Sequence, residues 1–187
     1  MAERPALILA SGSPQRRAIL DQLGIPFEVV VSGVEELEQG APEEVAFENA
    51  TRKAAAVAAR HPDYLVLGAD TLVYLGGTIY GKPTHAEEAG EMLRALSGQT
   101  HTVFGGLCLI GQGRTRTATA RTEVRFRTLD ERLIDWYLES GEWRGRAGSY
   151  AIQGRGAALV AGIEGEYSNV VGLPVAALLE LAPGLVG

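Results

Sequence analysis

Residues 7–20, LILASGSPQRRAIL, allow few local structures. Four apolar or small residues in a row read as a buried strand. Ser11-Gly12-Ser13 reads as a tight loop, and Ser13-Pro14 as a helix N-cap followed by proline at the first helical position. The chain must therefore run strand, loop, helix, with backbone N–H groups and hydroxyls gathered at the loop. The first turn of that helix carries Arg16 and Arg17, where the positive end of the helix dipole favours acids. Two cations beside a Ser/Gly loop and a helix N-terminus are suited to holding an anion such as phosphate. The bland alternative is a serine that merely caps and two arginines that merely face water. No G-K-S/T follows, so the loop is not a Walker A loop, and it lacks a dinucleotide fingerprint.

The remaining pattern alternates helices and strands, which predicts an α/β domain with a mixed sheet and no internal boundary. Strand 6–10 leads into helix 14–23, and 27–31 (FEVVV) is rich in β-formers. An acidic loop, Ser32–Gln39, precedes a helix from Pro42 to about Arg60. YLVLGADTLVYL (64–75) reads as two strand-like runs interrupted at Gly68–Asp70, with a hairpin turn at Gly76-Gly77. A helix over 86–96 follows, then strands 101–110 and 115–127 around a GQG turn. Asp130 caps a helix over 130–140. Two further strands, 157–164 and 167–171, precede a last helix from Pro174.

With 187 residues, 46% hydrophobic and 21% charged, the chain can bury a substantial core. A net charge of −6 argues against a general nucleic-acid or membrane-surface binder and makes any basic cluster conspicuous. No run approaches the roughly 18 apolar residues of a membrane span. MAERPALILA has too short an apolar run for a signal peptide. Cys108 is the single cysteine, which excludes an internal disulfide and a multi-cysteine metal site; it reads as a small buried strand residue. Cytoplasmic residence is the expectation.

Other residues also break their local pattern. Asp70, in GADTLV between apolar runs, is expected at a strand end or bulge and partly desolvated. Such a carboxylate serves as metal ligand, general base or partner of a buried cation, or else as a turn aspartate. On helix 42–60 the apolar stripe Ala46, Ala50, Ala54, Val57 brings Asn49 and Lys53 onto or beside the inward face. Lys53 either snorkels to the edge or reaches into a site, and Lys82 of GKP occupies a comparable loop position. Glu35 and Glu36 are solvated by default, although one could offer oxygen to Mg²⁺ beside Asp70. Together these are the ingredients of a cation-assisted phosphoryl-transfer or hydrolysis site. His61, His85 and His101 show no ligand spacing.

SGSPQRR, GVEE, ATRKA, GADT, GKP, LSGQTH, AGSYAIQG and VVGLP occur in the order found in the Maf family, which the chain resembles from Leu7 to about Pro174. Members are nucleoside triphosphate pyrophosphatases, also described as septum-formation inhibitor homologues. The resemblance implies an inosine triphosphate pyrophosphatase-like fold, an elongated mixed sheet flanked by helices with two lobes around a cleft, and a homodimer. It implies hydrolysis of a nucleoside triphosphate to the monophosphate and pyrophosphate with a divalent cation, Mg²⁺ or Mn²⁺. By position, Ser11, Ser13 and Arg16 match the phosphate loop, and Lys53 and Lys82 the lysines that hold the triphosphate. Glu36 matches a metal ligand and Asp70 the proton acceptor, also placed at the metal. Thr71 and Gln153 match the branch that acts on dTTP and UTP; a glutamine amide can pair with a pyrimidine edge. Gln15 stands at a specificity position where arginine is usual, and Gly145-Arg146-Ala147 replaces a frequent D-K-A. The alternatives are a 7-methyl-GTP or purine-selective enzyme, and a nucleotide-binding division regulator with little hydrolysis.

Overall fold

The computed structural model describes residues 6–186; Met1–Pro5, and with them half of MAERPALILA, lie outside it. β1 (Leu7–Leu9) runs into α1 (Pro14–Gln22), whose N-cap Ser13 accepts the Arg16 N–H at 3.5 Å. β2 (Phe27–Val29) is shorter than the FEVVV run, because Val30 makes only one further bond, to Leu9, and Val31 turns to solvent. α2 (Pro42–Ala58) buries Val45, Ala46, Asn49, Ala50, Lys53, Ala54 and Val57, the inward stripe its periodicity predicts. β3 (Leu65–Leu75), β4 (Thr78–Tyr80), α3 (Ala86–Leu96), β5 (Thr100–Gly111) and β6 (Arg114–Phe126) follow. Gly76-Gly77 and Gln112-Gly113 have the positive φ angles that two-residue hairpin turns require. α4 (Glu131–Glu139) is capped by Asp130, which accepts the Leu133 N–H at 2.8 Å. β7 (Val160–Glu164), α5 (Tyr167–Val171) and α6 (Val175–Leu181) complete the order. No helix among the described residues is long and apolar enough to cross a membrane.

The seven strands form one mixed sheet in the order β2-β1-β3-β5-β6-β7, with β4 also on β3. One edge of β3 is paired throughout with β5, from Val66 to Tyr74. The other edge is shared: Leu65–Leu67 pair with β1 in parallel, and Val73–Leu75 with β4 antiparallel. Between them, no described strand pairs with Gly68–Leu72 on that edge, so the sheet forks there. The fork opens at the carboxyl end of β1, the place in an open α/β sheet where ligands bind. Two apolar cores flank it. One packs β1, α1 and α6 around Leu9, Leu20, Leu67 and Leu173; the other packs α3 and α4 around Leu93, Val103, Phe126 and Tyr137. Mixed sheet, flanking helices and two lobes are thus as expected.

Three elements differ from expectation. The GAD segment does not interrupt β3, which is continuous, so Asp70 lies mid-strand opposite Gly106 and not at a strand end or bulge. Gly68 serves close packing: a Cβ there would lie 2.1 Å from the Ala50 carbonyl, and one on Gly106 would lie 2.2 Å from that of Ala46. Residues 167–171 form α5, not a strand. Ser168 binds the Glu166 carboxylate and accepts the Val175 N–H, and Gly172, at φ 138°, stops the turn. These local bonds override the β preference of Val170-Val171. Of the run 157–164, residues up to Leu159 form a 3₁₀ turn, and only β7 pairs with β6.

His101 lies inside the second core, its Nε2 2.9 Å from the Tyr150 hydroxyl and its ring edge-on to Phe126 and Tyr150. Burial, against an opposing pull from Glu123, lowers its pKa to about 4. The folded form therefore resists a proton that the unfolded chain takes up near pH 6.5, so this contribution is complete above 6.5 and is lost as pH falls toward 4. By denaturant unfolding, wild-type stability relative to His101→Gln should fall by about 3 kcal/mol between pH 7.5 and 4.

Candidate active site

Even positions of β3 face α2, and odd positions face the two cores, Leu65, Leu67 and Ala69 the one on α1 and α6 and Val73 the one on α3 and α4, by the two-residue period of a strand. Gly68, Asp70 and Leu72 thus lie under α2, where glycine and alanine let helix and sheet approach. That approach carries Lys53 and Asn49 onto Asp70. Lys53 Nζ is 2.7 Å from Asp70 Oδ1 and 2.6 Å from Glu36 Oε1. Asn49 Nδ2 donates to Asp70 Oδ2 at 3.0 Å. The Lys53 and Asp70 side chains are each only 8% exposed, so their charges meet with little water between them. Burial tends to raise the Glu36 carboxyl. The hydrogen bond from Lys53, with the charges of Lys53, Lys82 and Arg16, outweighs it and holds Glu36 below the ordinary carboxylate range.

On the opposite face, Arg16 is buried and ties three segments together. Its Nε donates to the Gly172 carbonyl at 2.9 Å, Nη1 to Ser11 Oγ at 2.8 Å and Nη2 to Thr71 Oγ1 at 3.2 Å. Thr71 in turn donates to Gly172 at 3.2 Å. A guanidinium carries five N–H donors, so two remain for an anion. Desolvation lowers the Arg16 pKa, and the charges of Asp70 and Glu36 oppose this. Arg17 is exposed. Ser13 Oγ donates to Gln15 Oε1 at 2.9 Å, and Ser11 Oγ accepts the Ser13 N–H at 3.3 Å.

Two clefts meet over the fork. The first, about 380 Å³, is lined by Ser11, Ser13, Gln15, Arg16, Lys53 and Gln153, and by Arg146 and Tyr150. The second, about 490 Å³, contains Asp70 and Asn49 beneath residues 36–39. Glu36, Thr71 and Lys82 border both. Ser11, Ser13, Gln15, Arg16, Glu36, Lys53, Asp70, Thr71, Lys82 and Gln153 therefore face one connected space, but with a division of charge, while Arg17 and Glu35 line neither cleft. Arg16, Lys53, Lys82 and Arg146 line the first cleft together with Glu36; among the described residues the second is lined by Asp70, Glu36, Glu38 and Glu88, with Lys82 its one cation. Lys82 and Gln153, both lining the first cleft, are exposed.

Among the described residues no three His, Cys, Asp or Glu side chains converge. A magnesium ion needs fewer, since it binds through one or two carboxylates together with water and substrate phosphates. Asp70 and Glu36 already converge on one positive group, the Lys53 ammonium, so this oxygen pair fits a hard divalent cation.

The family model for Maf-like proteins matches residues 6–184. The chain belongs to the Maf family. A Maf relative from Deinococcus radiodurans named dTTP/UTP pyrophosphatase is 48% identical over 181 residues, spanning 96% of this chain and 93% of that one. A Bacillus thuringiensis protein of the same name is 47% identical over 175 residues, 92% of each chain. Among solved structures, the Staphylococcus aureus Ham1 protein aligns with 65% of this Maf chain and 71% of its own, at a TM-score of 0.47 and 16% identity.

Three participants in this Maf site were missing from the residues singled out in the sequence. Asn49 was placed near the inward face without a role, although its spacing of four from Lys53 puts both on one line of the helix. The Gly172 carbonyl carries no side-chain signal. Tyr150, present in the sequence reading only within AGSYAIQG, is both buried core and cleft wall.

The buried Lys53–Asp70 pair makes a stability prediction that needs no substrate. Removing one partner strands a charge, whereas removing both does not. Lys53→Met should cost about 3 kcal/mol in urea unfolding, and Lys53→Met/Asp70→Asn should recover at least about half of that.

Proposed function

We propose that this chain is a nucleoside triphosphate pyrophosphatase that hydrolyses dTTP and UTP to the monophosphate and pyrophosphate. The observation that carries the proposal is the Asp70–Lys53–Glu36 cluster, set where a cation-lined cleft meets the space over Asp70. The names of the relatives support the same activity.

The polyanionic substrate belongs in the first cleft, where Arg16, Lys53 and Lys82 neutralise phosphate oxygens and the Ser11–Ser13 loop offers hydroxyls and N–H groups. Asp70 has one partner on each carboxylate oxygen, Lys53 and Asn49, and keeps lone pairs free for water. It accepts a proton as water oxygen bonds to the α-phosphorus; the α–β bridging P–O bond breaks, and the bridging oxygen departs with pyrophosphate. The same lysines and Arg16 stabilise the charge that develops on that oxygen. Glu36 and Asp70 would hold the divalent cation, Mg²⁺ or Mn²⁺, which when bound supplies further neutralisation of phosphate charge.

Gln153, at the open rim, can pair its amide with the carbonyl and N–H of a pyrimidine. Thr71 contributes differently, because its hydroxyl is already bonded to Arg16 and Gly172; it sets Arg16 in place. Gln15 is tied to Ser13 and shapes the loop. A cytoplasmic homodimer is the setting we infer, supported by the scarcity of cysteine and by the resemblance.

Turnover on dTTP, UTP, 7-methyl-GTP and purine triphosphates, with products identified, tests the assignment. Pyrophosphate and monophosphate from dTTP and UTP are expected. Preference for 7-methyl-GTP or a purine would overturn the pyrimidine choice, and binding without turnover would favour a regulator. Asp70→Asn should lower kcat by about 10²–10⁴-fold, the range for loss of a general base.

A further inference from the structure

The acidic segment between β2 and α2 has almost no structure of its own. Residues 30–38 form no helix or strand, and Gly33 and Gly40 have positive φ. Among the described residues, Val31–Gln39 makes polar bonds to the rest of the molecule at two points only. Glu36 reaches Lys53, and Leu37 reaches Asn49. Both anchors are on α2, one turn apart, and both also bind Asp70. Lys53 takes Oδ1 and Asn49 takes Oδ2. The helix thus presents two prongs, each holding both the loop and the catalytic carboxylate, Lys53 with one contact to the loop and Asn49 with two.

The prongs differ in kind. Lys53 is a cation that also lines the phosphate cleft, so an incoming triphosphate competes for it with Glu36 and Asp70. Asn49 is neutral, 2% exposed and absent from that cleft. Its carboxamide pairs with the Leu37 backbone as a neighbouring strand would. Oδ1 accepts the Leu37 N–H at 2.7 Å and Nδ2 donates to the Leu37 carbonyl at 3.0 Å, leaving its other hydrogen for Asp70. Both amide hydrogens are used, so Asn49 cannot rotate away without abandoning a buried acceptor.

We propose that Asn49 is a positioning residue that holds the Glu36 loop in register with Asp70 while Lys53 is drawn to the triphosphate. It acts through Asp70 and the Glu36 loop and is absent from the lining of the phosphate cleft. It fixes the orientation of Asp70 about its Cβ–Cγ bond and keeps Glu36, one residue from Leu37, over the second cleft. This rests on the pyrophosphatase assignment for its kinetic consequence but not for the clamp itself.

Two near-isosteric variants separate its limbs. Asn49→Leu removes all three bonds; Asn49→Asp keeps an acceptor for the Leu37 N–H and loses both donors. With dTTP and UTP, each should lower kcat at least about 10-fold with KM changed less than about threefold, as expected when an interaction shapes the transition state more than binding. Hydrogen exchange at the Leu37 amide should be at least 10-fold faster than wild type in Asn49→Leu and slower in Asn49→Asp than in Asn49→Leu. Wild-type kcat in either variant, or Leu37 exchange unchanged in Asn49→Leu, overturns the proposal. If neither variant folds, the wild-type Asn49 side-chain amide decides by NMR. Slow exchange and a shift on Asp70→Asn support the clamp, and rapid exchange or no shift refutes it. A wild-type chain inert toward both nucleotides overturns the activity assignment instead, and the exchange data then judge the clamp alone.

Discussion

One buried ammonium holds this structure's working parts together. Lys53 lies between Asp70 and Glu36 at hydrogen-bond distance from each, joining a helix, the central strand and an otherwise unstructured loop. An ion pair withdrawn from water is costly unless every charge is compensated. Here compensation is shared, because Asn49 satisfies the second oxygen of Asp70 and Lys82 and Arg16 add positive potential at Glu36. The pair gives the cleft a carboxylate with a defined direction and a cation ready to be redirected. Stability and the proposed chemistry therefore depend on the same few atoms.

That ammonium can reach Asp70 only because helix and sheet approach so closely. Ala46, Ala50 and Ala54 on α2 face Gly68 and Gly106 on β3 and β5, and the space for a side chain at either glycine is filled by helix backbone. Larger residues would lift the helix and with it Lys53 and Asn49. The forked edge of β3 supplies the other half. Where β1 has ended and β4 has not begun, a mid-strand aspartate gains the access that a strand end would otherwise provide. A carboxylate held by pairing on one edge and open on the other is both rigid and reachable.

The two arginines at the start of α1 now have distinct parts. Arg17 faces water; Arg16 turns inward and binds Ser11, Thr71 and Gly172, which come from three segments far apart in the chain. Its charge at a helix N-terminus is tolerated because Asp70 and Glu36 stand across the cleft. The Ser11–Ser13 loop is thereby braced against both the central strand and the end of α5. Positive charge predominates in one cleft and negative in the other, with Glu36 and Lys82 shared between them.

The sequence by itself determined the α/β class, most element positions, the inward stripe of α2 and the family. Each depends on local periodicity, capping residues or the order of short motifs. It also named many of the polar residues that border the clefts: Arg16, Lys53 and Asp70 because each broke the pattern of its neighbours, and Gln15, Thr71 and Gln153 through the family resemblance. It did not reveal that β3 runs unbroken through GADT, since the reason for Gly68 is a helix backbone more than a turn away in sequence. It misassigned Tyr167–Val171, where side-chain bonds from Glu166 and Ser168 outweigh the β preference of two valines. Tertiary structure alone decided which groups touch. Asn49 bonding Leu37 and Asp70 together, Thr71 serving Arg16, and the Gly172 carbonyl as an anchor are long-range pairings. A hydrogen bond between distant residues depends on how helices and strands dock, and docking is set by the summed shape of the core.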